Sequence, residues 1–214
     1  MSLNVCEIFF SLQGESTFAG LPCVFVRLSG CNLNCSWCDT LYSKTESRPM
    51  SLDKILERVE SYACPLVEIT GGEPLIQDQT PDLVSKLLKK GFQVLLETNG
   101  SRDIGLVDPA CIRILDVKCP SSGEPGSFLA ENIDRLTRQD EIKFVVGSRR
   151  DYEYARKFIQ DSLDRVSGEK IHISPVFGRI RPSDLAVWIL EDRLKARLSI
   201  QQHKIIWDPD QRGV

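Results

Sequence analysis

The chain has 214 residues, with 27 Lys and Arg against 30 Asp and Glu, 42% hydrophobic residues and eight cysteines. That length suits one domain with a sizeable core, no block of basic residues marks a nucleic-acid surface, and no apolar run approaches a bilayer span. The first apolar stretch holds Glu7 and follows no basic segment, so a secretory signal is not expected; eight cysteines without one point to a reducing compartment, the cytoplasm, and to metal or thiol chemistry rather than disulfides.

Strands alternate with helices along the chain. Val5–Phe10 and Val24–Ser29 read as strands. Ser51 can cap a helix to about Ser61, with Leu52, Ile55, Leu56 and Val59 on one face. Leu66–Thr70 is an apolar strand bounded by Pro65 and a glycine pair, and Thr80-Pro81 opens a helix ending at Gly91. Further strands are expected at Gln93–Glu97, Ile112–Val117, Glu141–Val146, Lys170–Ser174 and Leu198–Gln202. Helices are expected near Leu129–Leu136, Asp151–Leu163 and Ser183–Asp192. This order implies an α/β fold with parallel pairing and right-handed crossovers. About six such units predict a partial (β/α) barrel, fewer than the eight of a closed one. No repeat or linker interrupts residues 1–214, so a single domain is expected; 121–126 is a polar loop.

Three cysteines, Cys31, Cys35 and Cys38, stand in a C-x3-C-x2-C spacing with Trp37 before the third. A structural zinc site closes four positions, and a cubane iron–sulfur cluster also wants four thiolates. Three in one loop leave one iron open. The remaining cysteines are scattered and read as small buried thiols, Cys119 excepted.

The polar segments fall repeatedly at strand ends, where a β/α barrel carries its chemistry. The cysteine loop follows one strand, Thr70-Gly71-Gly72-Glu73-Pro74 the next, Thr98-Asn99-Gly100 the third, Lys118-Cys119-Pro120-Ser121 the fourth, and Ser174-Pro175-Val176-Phe177 a later one. Their convergence on one rim is the strongest signal in the chain.

The cysteine loop and the Gly71-Gly72-Glu73 segment resemble the radical S-adenosylmethionine (SAM) superfamily. That likeness implies a [4Fe–4S] cluster on Cys31, Cys35 and Cys38, with SAM chelating the open iron. Glycine exposes backbone for the ligand's ammonium, and Glu73 is expected to hold its loop. The likeness assigns SAM to Trp37, Cys38, Asp39, Gly72, Glu97, Cys119, Pro120, Ser121, Ser174 and Pro175. More of the chain carries a narrower resemblance. Gln13-Gly14-Glu15, the stretch Arg27 to Cys31, Cys38-Asp39-Thr40, His203-Lys204-Ile205-Ile206-Trp207 and Arg212-Gly213-Val214 are similar to the 7-carboxy-7-deazaguanine synthases of queuosine biosynthesis.

That resemblance implies conversion of 6-carboxy-5,6,7,8-tetrahydropterin to 7-carboxy-7-deazaguanine and ammonia, with Mg2+ as a further cofactor. A 5′-deoxyadenosyl radical would take hydrogen from C6 of the pterin, and ring contraction would follow. Leu12, Gln13, Gly14 and Glu15 would contact the pterin, Arg27 would hold its carboxylate as a bidentate pair, and Thr70, His203 and the Val214 carboxylate would close the pocket. Thr40 would ligate Mg2+, an ion that favours oxygen. A flavodoxin- or ferredoxin-like electron donor and a homodimer are also implied; nucleic acid and membrane are not. One departure is Cys119-Pro120-Ser121, where a Ser-Pro-Lys-like segment is usual; a thiol donates weaker hydrogen bonds.

Blander readings of single residues stand beside these. Arg27 within a strand can be a salt-bridge partner, Thr40 a turn residue, and a terminal residue idle. Two other functions share the cysteine loop. One is a radical activase that makes a glycyl radical on a partner protein; turnover of a free pterin excludes it. The other is a zinc-binding module; one zinc per chain rather than four irons and four sulfides would identify it.

Overall fold

The computed structural model describes residues 2–214. Its strands are β1 (Ser2–Leu12), β2 (Pro22–Leu28), β3 (Arg48–Ser51), β4 (Leu66–Gly71), β5 (Gln93–Thr98), β6 (Ile112–Asp116), β7 (Glu141–Val146), β8 (Ile171–Pro175) and β9 (Arg197–Leu198). They form one open sheet in the order β3-β1-β2-β4-β5-β6-β7-β8-β9. From β2 through β4 to β9 every pairing is parallel. β1 is antiparallel to both β2 and β3, so the sheet is mixed rather than wholly parallel. Helices α1 (Leu52–Glu60), α2 (Thr80–Lys89), α3 (Asn132–Arg135), α4 (Arg149–Ser162), α5 (Pro182–Glu191) and α6 (His203–Ile206) complete the chain. The open α/β arrangement read from the sequence is the one the chain adopts.

Strand alternation creates two unlike faces. Register sets Val24 beside Val67 beside Val94, Ile69 beside Leu96, and Phe144 beside Ile173, all buried. This face joins one core with Ile55 and Val59 of α1, Leu83 and Leu87 of α2, and Tyr152 and Ala155 of α4. Each Val, Leu, Ile or Phe among these, taken from water, contributes about 1.5–3 kcal/mol. The opposite face carries Arg27 beside Thr70, and Asp116 beside Lys143 beside His172. Ionised groups are tolerated inside a protein only when paired, and Arg27, Thr70, Asp116 and Lys143 of this polar face line the cavity described below.

Local signals account for the helix starts. The Ser51 side chain accepts a hydrogen bond from the Lys54 N–H at 3.3 Å, and that of Ser148 accepts from Asp151 at 3.2 Å, each satisfying an orphan donor of a first turn. Several boundaries differ from those read from the sequence. β1 is longer than Val5–Phe10, with a bulge between Val5 and Glu7. β3 arises from 40–50, where no strand was expected, after a short 3-10 turn at Leu41–Lys44. The helix expected at Leu129–Leu136 shrinks to α3, because the buried Asn132 side chain ties the segment to Gly100, Arg102 and Ile104. The strand expected at Leu198–Gln202 ends after Leu198: Ser199 makes one more bond, N–H to the Ile173 carbonyl at 3.0 Å, and the chain then leaves the sheet.

Candidate functional site

A cavity of about 260 Å3 lies at the carboxyl ends of the parallel strands. Cys31, Cys35 and Cys38 share its wall with Arg27, Thr70, Gly72, Glu97, His203 and Val214, which the chain order scatters widely.

The cysteine loop is anchored from both sides. Ser36 donates through its N–H to the Ser122 carbonyl (2.9 Å) and through its hydroxyl to the Ser121 carbonyl (2.9 Å). The Asn34 N–H donates to Glu124 (2.6 Å), and Lys44 reaches the Leu33 carbonyl (2.7 Å). On the other flank the Asn99 amide donates to Asn32 (3.2 Å). None of the three thiols is in a disulfide. The Leu33 N–H points at Cys31 Sγ (3.4 Å), the kind of donor that tunes a thiolate in an iron–sulfur site. Burial pushes the Cys35 thiol up, while the Lys118 ammonium pulls it down. Three free thiols on one short loop, with a backbone donor and a lysine beside them, suit three cluster ligands. Among the described residues no three His, Cys, Asp or Glu gather into a site for a single metal ion.

The glycine pair has a steric reason that the sequence did not reveal. A Cβ on Gly71, at φ 146°, would fall 2.2 Å from the Leu28 carbonyl oxygen; one on Gly72 would fall 2.1 Å from that of Gly30 and 2.7 Å from Cys31 Cβ. β4 therefore passes against the start of the cysteine loop with no room for a side chain. Glu73 is fully buried and holds the turn, accepting from Leu75 N–H (2.9 Å), Thr98 Oγ1 (2.8 Å) and Asn99 N–H (2.7 Å). Burial raises its carboxyl, and these three donors oppose the rise.

The two chain termini meet across the cavity. Gln202 N–H donates to the Gly14 carbonyl (3.0 Å), and the Gln201 amide to Glu15 (2.7 Å). A Cβ on Gly14 would stand 2.3 Å from His203 Nδ1, so glycine lets the histidine close on the turn. Burial lowers the His203 pKa, with Glu15 and Asp39 opposing, so its imidazole is neutral at pH 7. Lys204 pairs with Asp39 (2.8 Å), and Arg212 with Glu46 (2.9 Å) while lying 3.4 Å over the Tyr42 ring. Gln13 is clamped: its side chain accepts from Glu15 N–H (2.9 Å) and donates to Glu68, and its backbone bonds Leu21 and Gly20. Arg27 donates from Nε to Glu7 (2.8 Å), the salt bridge its strand position allowed. Its terminal nitrogens have no hydrogen-bond partner among the described residues, and Arg27 lines the cavity.

Leu12, Gln13, Gly14, Glu15, Trp37, Asp39 and Thr40 also border the cavity. The Trp37 indole lies 3.4 Å from where a Gly147 Cβ would be, with the Arg179 guanidinium 5.1 Å over the ring. Cys119, Pro120, Ser121, Ser174 and Pro175 stand behind the wall, though Val176 and Phe177 reach it. Cys119 is buried, which pushes its thiol up. Ser121 spends its N–H (2.8 Å) and hydroxyl on Asp151, which also binds Gly147 N–H (2.8 Å). Ser174 is fully buried, and its hydroxyl has no partner among the described residues.

Sequence reasoning did not bring the interior charges Glu68, Asp116 and Lys143 to the wall, and it named Lys118 only within a strand-end segment. The available signal was a single ionisable residue within an apolar strand, as in Leu66-Val67-Glu68-Ile69 and Ile142-Lys143-Phe144. Lys143 bonds Glu15 (2.8 Å) and Glu97 and lies 3.7 Å from Asp116. Burial would lower its pKa, but these carboxylates raise it well above the lysine range. Burial likewise works against Glu15, yet Lys143, Gln201 and His203 hold its carboxyl down at about 2. Glu68 is pushed up by burial and by Glu97. Lys118 pairs with Asp116 at 2.8 Å.

Comparison with known proteins agrees with this geometry. Residues 25–116 match the radical SAM superfamily. The 7-carboxy-7-deazaguanine synthase of Koribacter versatilis is 45% identical, over 99% of this chain and all of the relative. That of Chlorobaculum tepidum is 45% identical over 99% of this chain and 97% of its own. The crystal structure of QueE from Escherichia coli superposes with a TM-score of 0.78 and 28% identity, covering 95% of each chain. An end-to-end match to radical enzymes of one named activity leaves no place for a zinc module or an activase of other proteins. With its three free thiols, its glycine-backed rim and its two joined termini, the chain belongs to the 7-carboxy-7-deazaguanine synthase family of the radical SAM superfamily.

Proposed function

We propose that this chain converts 6-carboxy-5,6,7,8-tetrahydropterin to 7-carboxy-7-deazaguanine and ammonia. The overall change is an internal rearrangement with loss of NH3, with no net oxidation or reduction of the pterin. The observation that carries the reading is a single cavity bordered by the cysteine loop and by residues of both termini. Cys31, Cys35 and Cys38 would hold a [4Fe–4S] cluster, with SAM against Trp37, Gly72 and Glu97. When bound, that pair supplies a 5′-deoxyadenosyl radical.

The chain's own groups bind and orient. Arg27, steadied at Nε by Glu7, keeps its terminal N–H groups for the pterin carboxylate. Glu15 stays ionised and can accept from the N–H edge of the pterin ring. Gln13 has committed its N–H to Leu21 and its side chain to Glu15 N–H and to Glu68 of β4, leaving its carbonyl's second lone pair and the Gly14 N–H as the available backbone groups. His203, neutral, and the Val214 carboxylate close the opposite side. Together they hold the reacting carbon in one place and exclude water, the protein's main contribution to such chemistry. Mg2+ would take Thr40 as its protein ligand; Asp39 is committed to Lys204, so substrate and water oxygens complete the set. The reading extends to one domain over 1–214 with substrate-binding elements at both ends and a cytoplasmic location, which the uninterrupted chain and its free cysteines support, and to a flavodoxin- or ferredoxin-like donor and a homodimer, which rest on the resemblance.

The test is anaerobic turnover. Protein reconstituted with iron and sulfide, given SAM, Mg2+, the carboxytetrahydropterin and a strong reductant, yields 7-carboxy-7-deazaguanine and one ammonia per turnover. A cluster-loaded protein that cleaves SAM and leaves the pterin unchanged overturns the proposal.

A further inference from the structure

Lys143 stands in the middle of β7 and points to the inner face of the sheet, beside Asp116 on β6 and His172 on β8. Its side chain is 7% exposed. One ammonium bridges two carboxylates from distant parts of the chain: Glu15 in the loop after β1, and Glu97 at the end of β5. Glu15 belongs to the pterin side of the cavity and Glu97 to the SAM side. Glu15 is pinned at its other oxygen by Gln201 of the C-terminal segment, and Lys143 joins the loop after β1 to the end of β5, two elements that no backbone hydrogen bond connects among the described residues.

A buried ammonium between two carboxylates fixes both, because either carboxylate moving away leaves an unpaired charge out of water. Displacement of one carboxylate by an arriving ligand is felt by the other through the shared cation. We infer that Lys143 is a positioning residue that couples the pterin and SAM subsites, so that occupancy of one strengthens binding at the other. The inference rests on the functional reading above. It concerns how the two ligands communicate, not which reaction follows. By linkage the coupling is reciprocal, and its size is the ratio of affinities with and without the second ligand.

The experiment measures equilibrium binding of the carboxytetrahydropterin to the cluster-loaded protein, anaerobically and without reductant, in the presence and absence of SAM. The parent protein is expected to bind the pterin at least about fivefold more tightly with SAM present. Lys143→Met is expected to remove that enhancement, with the pterin affinity the same whether or not SAM is present. Glu97→Gln, which neutralises the carboxylate on the SAM side, should also shrink the enhancement. Iron content and melting temperature establish that the variants are folded. If Lys143→Met fails to fold, Lys143→Gln, whose amide can donate to one carboxylate, takes its place under the same criterion. An enhancement that survives the loss of the ammonium, or a parent that shows none, overturns the coupling role. A parent protein that binds no pterin under either condition overturns the functional reading itself, and the coupling with it.

Discussion

Gly72→Ala tests how the sheet positions the cysteine loop. The new Cβ would lie 2.1 Å from the Gly30 carbonyl oxygen, 2.6 Å from its carbon and 2.7 Å from Cys31 Cβ. All of these atoms belong to backbone or are the Cβ of Cys31, so no flexible side-chain end can yield. Relief requires the Gly30–Cys31 segment to retreat by about 1 Å, a small-to-large change that costs about 1–3 kcal/mol in a packed site. The retreat also strains the bond from Glu73 N–H to the Gly30 carbonyl, now 2.9 Å, worth about 1 kcal/mol. A total near 3 kcal/mol corresponds to a fall in melting temperature of about 6–12 °C for a chain of this size. Because the displaced atoms adjoin Cys31, anaerobic reconstitution should also recover markedly less iron and sulfide. Thermal denaturation by circular dichroism and iron analysis read the two effects. A Gly72→Ala protein with the parent's melting temperature and full iron would refute the steric account of the glycine pair.

Three further outcomes follow from the site. Arg27→Ala should raise the pterin KM by about 30- to 100-fold, and Arg27→Lys by a smaller factor, since a lysine keeps the charge without the forked geometry; steady-state kinetics at full iron content decide it, and an unchanged KM refutes the carboxylate role. A peptide fused after Val214 removes the free carboxylate from the cavity wall and should weaken pterin binding while leaving SAM cleavage intact; equal pterin affinity with and without the extension refutes it. Glu73→Gln places an amide N–H against one of three converging donors and leaves a buried group unsatisfied, destabilising the fold by about 1–3 kcal/mol; a melting temperature equal to the parent's refutes the turn-holding role.

The parts of the fold that were legible in sequence are those in which local chemistry and tertiary packing agree. Leu66–Thr70, between Pro65 and two glycines, and Ser51 ahead of an amphipathic nonapeptide are of this kind. Leu198 and Ile200 alternate as a strand does, but both are exposed and nothing pairs beyond Leu198 in the sheet, so the alternation had no partner to stabilise it. β3 was illegible because Arg48-Pro49-Met50-Ser51 lacks an apolar pattern; register against Ser2–Val5 makes it a strand. In the site, spacing revealed the cysteines and the glycine pair. The interior charges did not announce themselves, because Lys143 and Glu68 earn their partners only when β7, β4 and the turn at 13–15 are brought together. Ser121 shows the reverse case: its position matched a cofactor segment, but Asp151, on a helix farther along the chain, takes its donors.

The junction between Gly14 and Gln202, with Val214 at the cavity wall, also bears on how the molecule is made. The cysteine loop leaves the ribosome before the segment at 201–214, so the sulfur ligands exist in the growing chain before the wall that closes over them.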